Sequence, residues 1–375
     1  MFDADTHVNP TAEVLERYAD DGLQRRLPDL APFRVPAEGT RAATPGTHHY
    51  RIGTALYRRV LGEAGPHESF VGEATTWRGT RQPRPGVQDD HSANRVRDMD
   101  EEGADVHLTV PASWTSVVGL GDPELETGLI RAFHRYMADF CGPFPGRLRG
   151  VLVASGQAVD DAVGEIRRWG TSLWPAAVMP LLAEGVPVDH PELEPVWAAA
   201  ADFDLPIVHH SDTWNPPYFP GHKDMWDNVF LARMASHPWG AMRFVASFVG
   251  AGILDRYPSL RVGVLEAGFG WLPFWARRMD EQIGYVGGTP PLKCRPSEYL
   301  TGGRFFCSIE VHEGEETFAS VTERLGDGVL MYASDYPHAE CQFPDSPANV
   351  LGWSSVSEPA RRKLLHDNAA RFVRG

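Results

Sequence analysis

From Asp98 onward the chain alternates between short apolar runs and longer stretches whose apolar residues recur every three or four positions. The short runs are Val106–Val110, Leu148–Ala154, Ala176–Met179, Pro206–His210, Arg261–Glu266, Phe305–Ile309 and Val329–Ala333. Their length and β-branched content read as buried strands. Between them, Leu125–Phe140, Asp160–Trp169, Glu192–Ala201, Ala241–Tyr257, Leu272–Ile283, Glu315–Leu325 and Pro359–Phe372 carry helical spacing. Pro195 and Pro238 fall where a first-turn proline is tolerated, and Ser357-Glu358-Pro359 has the form of a capped start. A further short strand, Met1–Asp5, opens the chain. Strands that alternate with helices imply a parallel sheet, and eight such units imply closure. The expected fold is therefore α/β, a single (β/α)8 TIM barrel spanning residues 1–375. An open doubly wound sheet is the alternative, but no GxGxxG turn follows the first strand.

Residues 10–90 break the alternation. They are rich in Pro, Gly, Arg and Thr, with one apolar helical patch near Thr54–Leu61. Without a core-sized apolar set, this segment reads as a long insertion after strand one, lying over the active face.

Composition narrows the partners. A formal net charge of −15 argues against nucleic acid or an anionic membrane surface, since both need a basic footprint. It leaves a small-molecule substrate open. No run approaches the roughly 18 uninterrupted apolar residues of a membrane span. The start, MFDADTHVNP, has neither the basic nor the apolar region of a signal peptide. Cys141, Cys294, Cys307 and Cys341 are widely spaced, so buried free thiols and a cytoplasmic setting are expected.

In a parallel barrel the chemistry collects where strands end. Strand one ends in Asp5-Thr6-His7, whose first and third side chains project to one side. Strand five ends in His209-His210, strand six in Glu266 and strand eight in Ser334-Asp335. His209 and His210 cannot both point inward, and His210, two beyond Val208, is the favoured one. Asp5, His7, His210 and Asp335 thus form a candidate ligand set for one divalent metal ion, zinc first and manganese as the alternative.

The segments that carry these residues, Asp3-Ala4-Asp5-Thr6-His7, Leu205–His210, Leu265–Pro273 and Ala333–His338, resemble the signature segments of the amidohydrolase superfamily. The similar branch is that of aminocarboxymuconate-semialdehyde decarboxylase and the aromatic-acid decarboxylases. The resemblance covers nearly the whole chain, weakest over residues 10–90. It implies a barrel, a mononuclear metal, and catalysis by activated water or by direct protonation of substrate; related enzymes are frequently homodimers. Members often carry HxH on strand one; Asp5 in the first position shifts the expected metal from zinc toward manganese. The histidine often found on strand six is replaced by Glu266. Strand four offers no lysine to bridge a second ion.

Three catalytic candidates follow: Asp335, as ligand and proton acceptor, and Glu266 or His237 as proton shuttle. His237-Pro238 is read as preceding the helix after strand five, a position that lowers an imidazole pKa. Trp214, Trp239 and Trp271 are read as loop residues on the same face that can stack on a substrate. Glu310 and His312, past strand seven, point to that face too, and His338 is a candidate partner of Asp335. The function these residues suggest first is metal-dependent, non-oxidative decarboxylation of a small aromatic or enol carboxylate. A hydrolase or a benzoxazole-type heterocycle-forming cyclase of natural-product biosynthesis is the second reading. A non-catalytic ligand-binding barrel is the third.

Overall fold

The computed structural model describes residues 1–37, 46–52, 61–62, 77–182, 186–210 and 229–373. Eight parallel strands form one sheet in chain order: β1 (Phe2–Val8), β2 (Val106–Pro111), β3 (Leu148–Ser155), β4 (Pro175–Leu181), β5 (Ile207–His210), β6 (Val262–Leu265), β7 (Phe305–Ser308) and β8 (Leu330–Met331). The sheet closes on itself. Thr6 bridges to Tyr336 just past β8, and the amides of Ala4, His7 and Asp335 donate to the carbonyls of Tyr332, Tyr336 and Asp5. This is the expected (β/α)8 barrel.

Near-continuous apolar strands are what a sheet covered on both faces requires. All seven residues of β4 and all four of β6 are buried. Helices cover the outside, and the chain's last helical turns seal it. A β-carbon at Gly263 of β6 would come within 2.5 Å of the Phe372 ring, so that strand position must be glycine for the ring to seat. Pro195 does lie in the first turn of helix Glu194–Asp202, and the Ser357 side chain accepts from the Ala360 amide to cap helix Glu358–Arg362.

Three local expectations are corrected. β1 runs through to Val8, because Thr6, His7 and Val8 continue the ladder to Thr109, Val110 and Pro111 of β2. The helix after β5 includes Val229–Gly250, so Pro238 lies inside it and does not begin it. An interior proline forfeits one hydrogen bond, a loss that a 22-residue helix burying Phe244, Val245, Phe248 and Val249 can absorb. Within residues 10–90, short capped helices stand at Ala12–Arg17 and Asp21–Leu30, followed by a hairpin of Arg34–Pro36 with His48–Tyr50. Both helices pack on helix Pro123–Cys141, and Val14, Leu15, Leu23, Leu30 and Tyr50 join the same buried cluster as the barrel. Charged residues and Pro28 hide that apolar set in the sequence. Residues 54–60 of the expected helical patch lie outside the described residues.

All four cysteines are free, and Cys294 is exposed where a buried thiol was expected. Among the described residues no helix is long and apolar enough to cross a membrane.

The interior also holds isolated acid. Glu126, on helix Pro123–Cys141, is fully buried; its Oε2 accepts from Gln157 Nε2 at 2.5 Å, and its Oε1 has no partner. Burial outweighs the bonds from Ser155 and Gln157 and pushes its pKa from 4.5 up to about 7. The folded state therefore favours the protonated form. Stability is full below the unfolded value and falls as pH rises through the folded one. Glu126→Gln removes this slope: between pH 4 and pH 8 the variant should gain on the order of 2–3 kcal/mol relative to the parent, read from urea midpoints. Parallel pH profiles for the two proteins would contradict it.

Candidate metal centre

Four strands converge at one mouth of the barrel. Asp5 and His7 stand two apart on β1, His210 ends β5, Glu266 follows β6, and Asp335 follows β8. Nε2 of His7 lies 3.6 Å from Asp5 Oδ1, 3.6 Å from Glu266 Oε2 and 2.9 Å from Asp335 Oδ1. Nε2 of His210 lies 3.6 Å from Asp5 Oδ1 and 3.2 Å from Glu266 Oε2. Ligand atoms of Asp5, His7, His210 and Glu266 fall within 4.8 Å of one another, as do those of His7, Glu266, Asp335 and His338. Ligands about one ion at bonds of roughly 2 Å have a similar spacing. The second strand-five histidine goes elsewhere: His209 is buried and stacks on Phe244 at 4.9 Å.

The residues also fit an ion by what they leave unsatisfied. Asp5 Oδ1, both nitrogens of His7, His210 Nε2 and Asp335 Oδ2 are buried without a well-aligned hydrogen bond, although His7 Nε2 and His210 Nε2 lie within 3.2 Å of a carboxylate oxygen. Buried polar atoms are rarely left so. Burial pushes the Asp5 carboxyl up and the His7 imidazole down. Burial also opposes a charge on His210, yet Asp5 and Glu266 prevail and hold it well above the ordinary imidazole range. Glu266 is drawn down to about 2 against its own burial, chiefly by His210. Without a cation, then, the cluster answers its carboxylates with protons. A divalent ion would displace them, the usual coupling of metal and proton binding.

Backbone strain marks the same residues. Glu266 and Asp335 adopt left-handed φ of 47° and 61°, a conformation that non-glycine residues adopt at a cost and that collects at functional sites. The Glu266 amide donates to Ser308 Oγ at 3.1 Å. Just beyond, Glu313 accepts from the amides of Phe269 at 3.1 Å and Gly270 at 2.9 Å. A β-carbon at Gly268 would sit 2.2 Å from Glu313 Oε1. One carboxylate thus fixes the turn that carries Glu266. Across the cluster, His338 Nδ1 lies 2.7 Å from Asp335 Oδ1, and its ring stacks on His7 at 4.0 Å. Its pKa is raised to about 9 because the Asp335 charge overcomes burial.

A cavity of about 730 Å³ opens beside the cluster. His237, Glu266, Trp271, Glu310 and His312 line it. His237 lies inside helix Val229–Gly250, so the helix-start argument for its pKa does not apply; its Nδ1 is 3.8 Å from Glu266 Oε1. Trp239 lies in the same helix, not in a loop; it is 48% exposed and is not among the cavity residues. Trp214 lies outside the described residues. Arg78, Phe230, Met234 and Glu340 also line the cavity and were not singled out from sequence. Phe230 and Met234, four apart on a helix face, carried a signal; Arg78 carried none among the many arginines.

A family model described as Amidohydrolase matches residues 3–375. A search of curated proteins found no match. Solved structures do match. 5-Carboxyvanillate decarboxylase from Novosphingobium aromaticivorans, complexed with manganese and 4-hydroxy-3-methoxy-5-nitrobenzoic acid, is 20% identical at a TM-score of 0.69, over 99% of this chain and 95% of that one. A dihydroxybenzoic acid decarboxylase from Polaromonas, with bound manganese and the inhibitor 2-nitroresorcinol, is 18% identical at 0.64, over 98% and 95%. 2,6-Dihydroxybenzoate decarboxylase from Rhizobium is 20% identical at 0.61, over 76% and 88%. At these identities the likeness establishes the fold.

The Glu313 clamp generates a direct prediction. Glu313→Gln leaves one turn amide facing a donor, at about 1–3 kcal/mol. Metal affinity should fall by about 10–100-fold, as for other groups that orient ligands. Competition with a chelating dye reads the affinity; an unchanged value would show that the clamp does not position Glu266.

Proposed function

The chain belongs to the amidohydrolase family, and from that premise we propose that it is a metal-dependent, non-oxidative decarboxylase of a small aromatic hydroxycarboxylate. The observation that carries the reading is the cluster of unpartnered, buried ligand atoms on Asp5, His7, His210 and Asp335 beside a cavity roomy enough for a substituted ring. The decarboxylases among the structural relatives support it, and two of them hold manganese with a nitro-substituted aromatic compound. Manganese is the favoured ion over zinc, because Asp5 puts a carboxylate where a histidine is often found and Glu266 stands within reach as a further oxygen ligand.

A divalent cation at this centre would polarise the carboxylate and an ortho hydroxyl of the substrate. Asp5, His7, His210 and Asp335 would hold it, with Glu266 close enough to serve as a further ligand. Decarboxylation requires a proton on the ring carbon that bears the carboxylate. The carbon–carboxylate bond then breaks, its electron pair returns to the ring, and carbon dioxide leaves. His237 on the cavity wall and Glu266, 3.8 Å away, are placed to pass that proton. His338 fixes the orientation of Asp335. Trp271, whose indole N–H is committed to the carbonyls of Ala267 and Gly268, offers its ring as an apolar wall. A homodimer, a cytoplasmic location, and the role of residues 10–90 as an insertion in one 1–375 barrel belong to the same proposal.

Manganese-loaded protein incubated with a panel of hydroxybenzoates, 2,6-dihydroxybenzoate and 5-carboxyvanillate included, should release one carbon dioxide per substrate consumed. His210→Ala should lose activity together with the ion at the barrel mouth. Hydrolysis of a C–N or C–O bond, or ring closure, with no carbon dioxide from any panel member would contradict the proposal.

A further inference from the structure

A second cluster of ligand-type side chains lies in the barrel wall. Asp3 of β1 and His107 of β2 are paired neighbours in the strand register, and Glu102 ends the helix Ser92–Glu102 that leads into β2. Their ligand atoms fall within 4.8 Å of one another. Asp3 and His107 are completely buried and Glu102 is 7% exposed. The β1–β2 register shifts between Asp3 and Thr6, and Asp3 groups with Glu102 and His107 and not with Asp5 and His7.

What distinguishes this cluster from an ordinary buried network is how little of it is bonded. Asp3 Oδ2, both oxygens of Glu102 and both nitrogens of His107 have no hydrogen-bond partner. The His107 Nε2 to Glu102 Oε2 distance is 3.9 Å, too long for a hydrogen bond and ordinary for two ligands across one ion. Asp3 is aimed by its other oxygen, which accepts from the amides of Asp5 and Ser334. Neighbouring charges do not answer the cluster. Arg84 and the Tyr336 hydroxyl bind Asp98. Arg95 gives Nη1 to the carbonyls of His7 and Val87, lies over the Tyr336 ring, and leaves Nε and Nη2 unbonded instead of pairing with Glu102 or Asp3. Two buried carboxylates therefore face one guanidinium that makes no hydrogen bond to them, five polar atoms on the three residues lack a hydrogen-bond partner, and one ligand atom from each residue lies within 4.8 Å of the other two.

We propose that Asp3, Glu102 and His107 hold a second divalent cation of the manganese or zinc class, distinct from the ion at the barrel mouth. Two carboxylates and one imidazole are a suitable donor set for such an ion. Its place in the fold gives it a structural role. It would tie β1 to β2 and to the helix before β2, and through the Ser334 amide to the strand that closes the barrel.

Metal content per chain tests this, measured by mass spectrometry after dialysis of manganese- or zinc-loaded protein against metal-free buffer. The wild type should hold two ions. His210→Ala, which leaves the second cluster intact, should hold one, and its melting temperature should fall when a chelator removes it. Glu102→Gln with His107→Gln should also hold one and keep any decarboxylase activity. A His210→Ala variant with no ion overturns the proposal, as does a wild type with a single ion that survives the changes at Glu102 and His107. If the barrel-mouth centre is the mistaken assignment, one ion is found in the wild type, kept by His210→Ala and lost with Glu102 and His107. That pattern refutes the function proposed above and supports this site.

Discussion

Burying carboxylates and imidazoles together is costly unless each charge meets an opposite charge or a hydrogen bond. At the mouth of this barrel that condition is met only in part. Asp5, His7, His210, Glu266 and Asp335 approach one another closely, yet several of their atoms bond to nothing in the protein. A shared divalent cation would meet one ligand atom from each of these residues at once, as proposed above. The candidate ligands come from β1, β5 and the segments after β6 and β8, so they meet only if the sheet closes. The closure itself runs through the ligand strand, where the Asp5 carbonyl accepts from the Asp335 amide and the His7 amide donates to Tyr336.

The surroundings hold the cluster in place instead of leaving it to relax. Left-handed conformations at Glu266 and Asp335 persist because neighbouring groups enforce them. Ser308 and Glu313 fix the first turn, and the bond between the Asp335 carboxylate and His338 braces the second. Glycine at 268 and 270 is a consequence: the Glu313 carboxylate occupies the space a side chain would need. Side chains held in this way would lower the reorganisation that ion binding demands, and the cavity lies on the Glu266 side of the cluster.

Much of the barrel was legible in the sequence because its signal is local and repeated. Seven of the eight strands lie in apolar runs short enough to exclude helices, while β1 is half polar; the strand-end rule pointed to Asp5, His7, His210, Glu266 and Asp335, which the structure brings together. Alternation on an extended chain also separated His210 from His209, which turns to Phe244. What was not legible depends on contacts distant in sequence. Pro238 looked like a helix start, because nothing nearby reveals that burial of Phe244 and Phe248 carries the helix through it. The placement of Arg78 on the cavity wall comes from an anchor at Ala339, a pairing across the fold that no periodicity encodes. The cluster of Asp3, Glu102 and His107 was hidden for a related reason. A register shift lies between Asp3 and Thr6 of β1, and such shifts leave no trace in hydrophobic patterning.

The most direct test of the central claim is a crystal structure of manganese-soaked protein with anomalous scattering data collected on either side of the manganese edge. The account predicts an anomalous peak at the barrel mouth, about 2.0–2.3 Å from Nε2 of His7 and His210 and from carboxylate oxygens of Asp5 and Asp335. A mouth without a peak in protein that binds the ion in solution, or a peak that these four side chains do not reach, would contradict it.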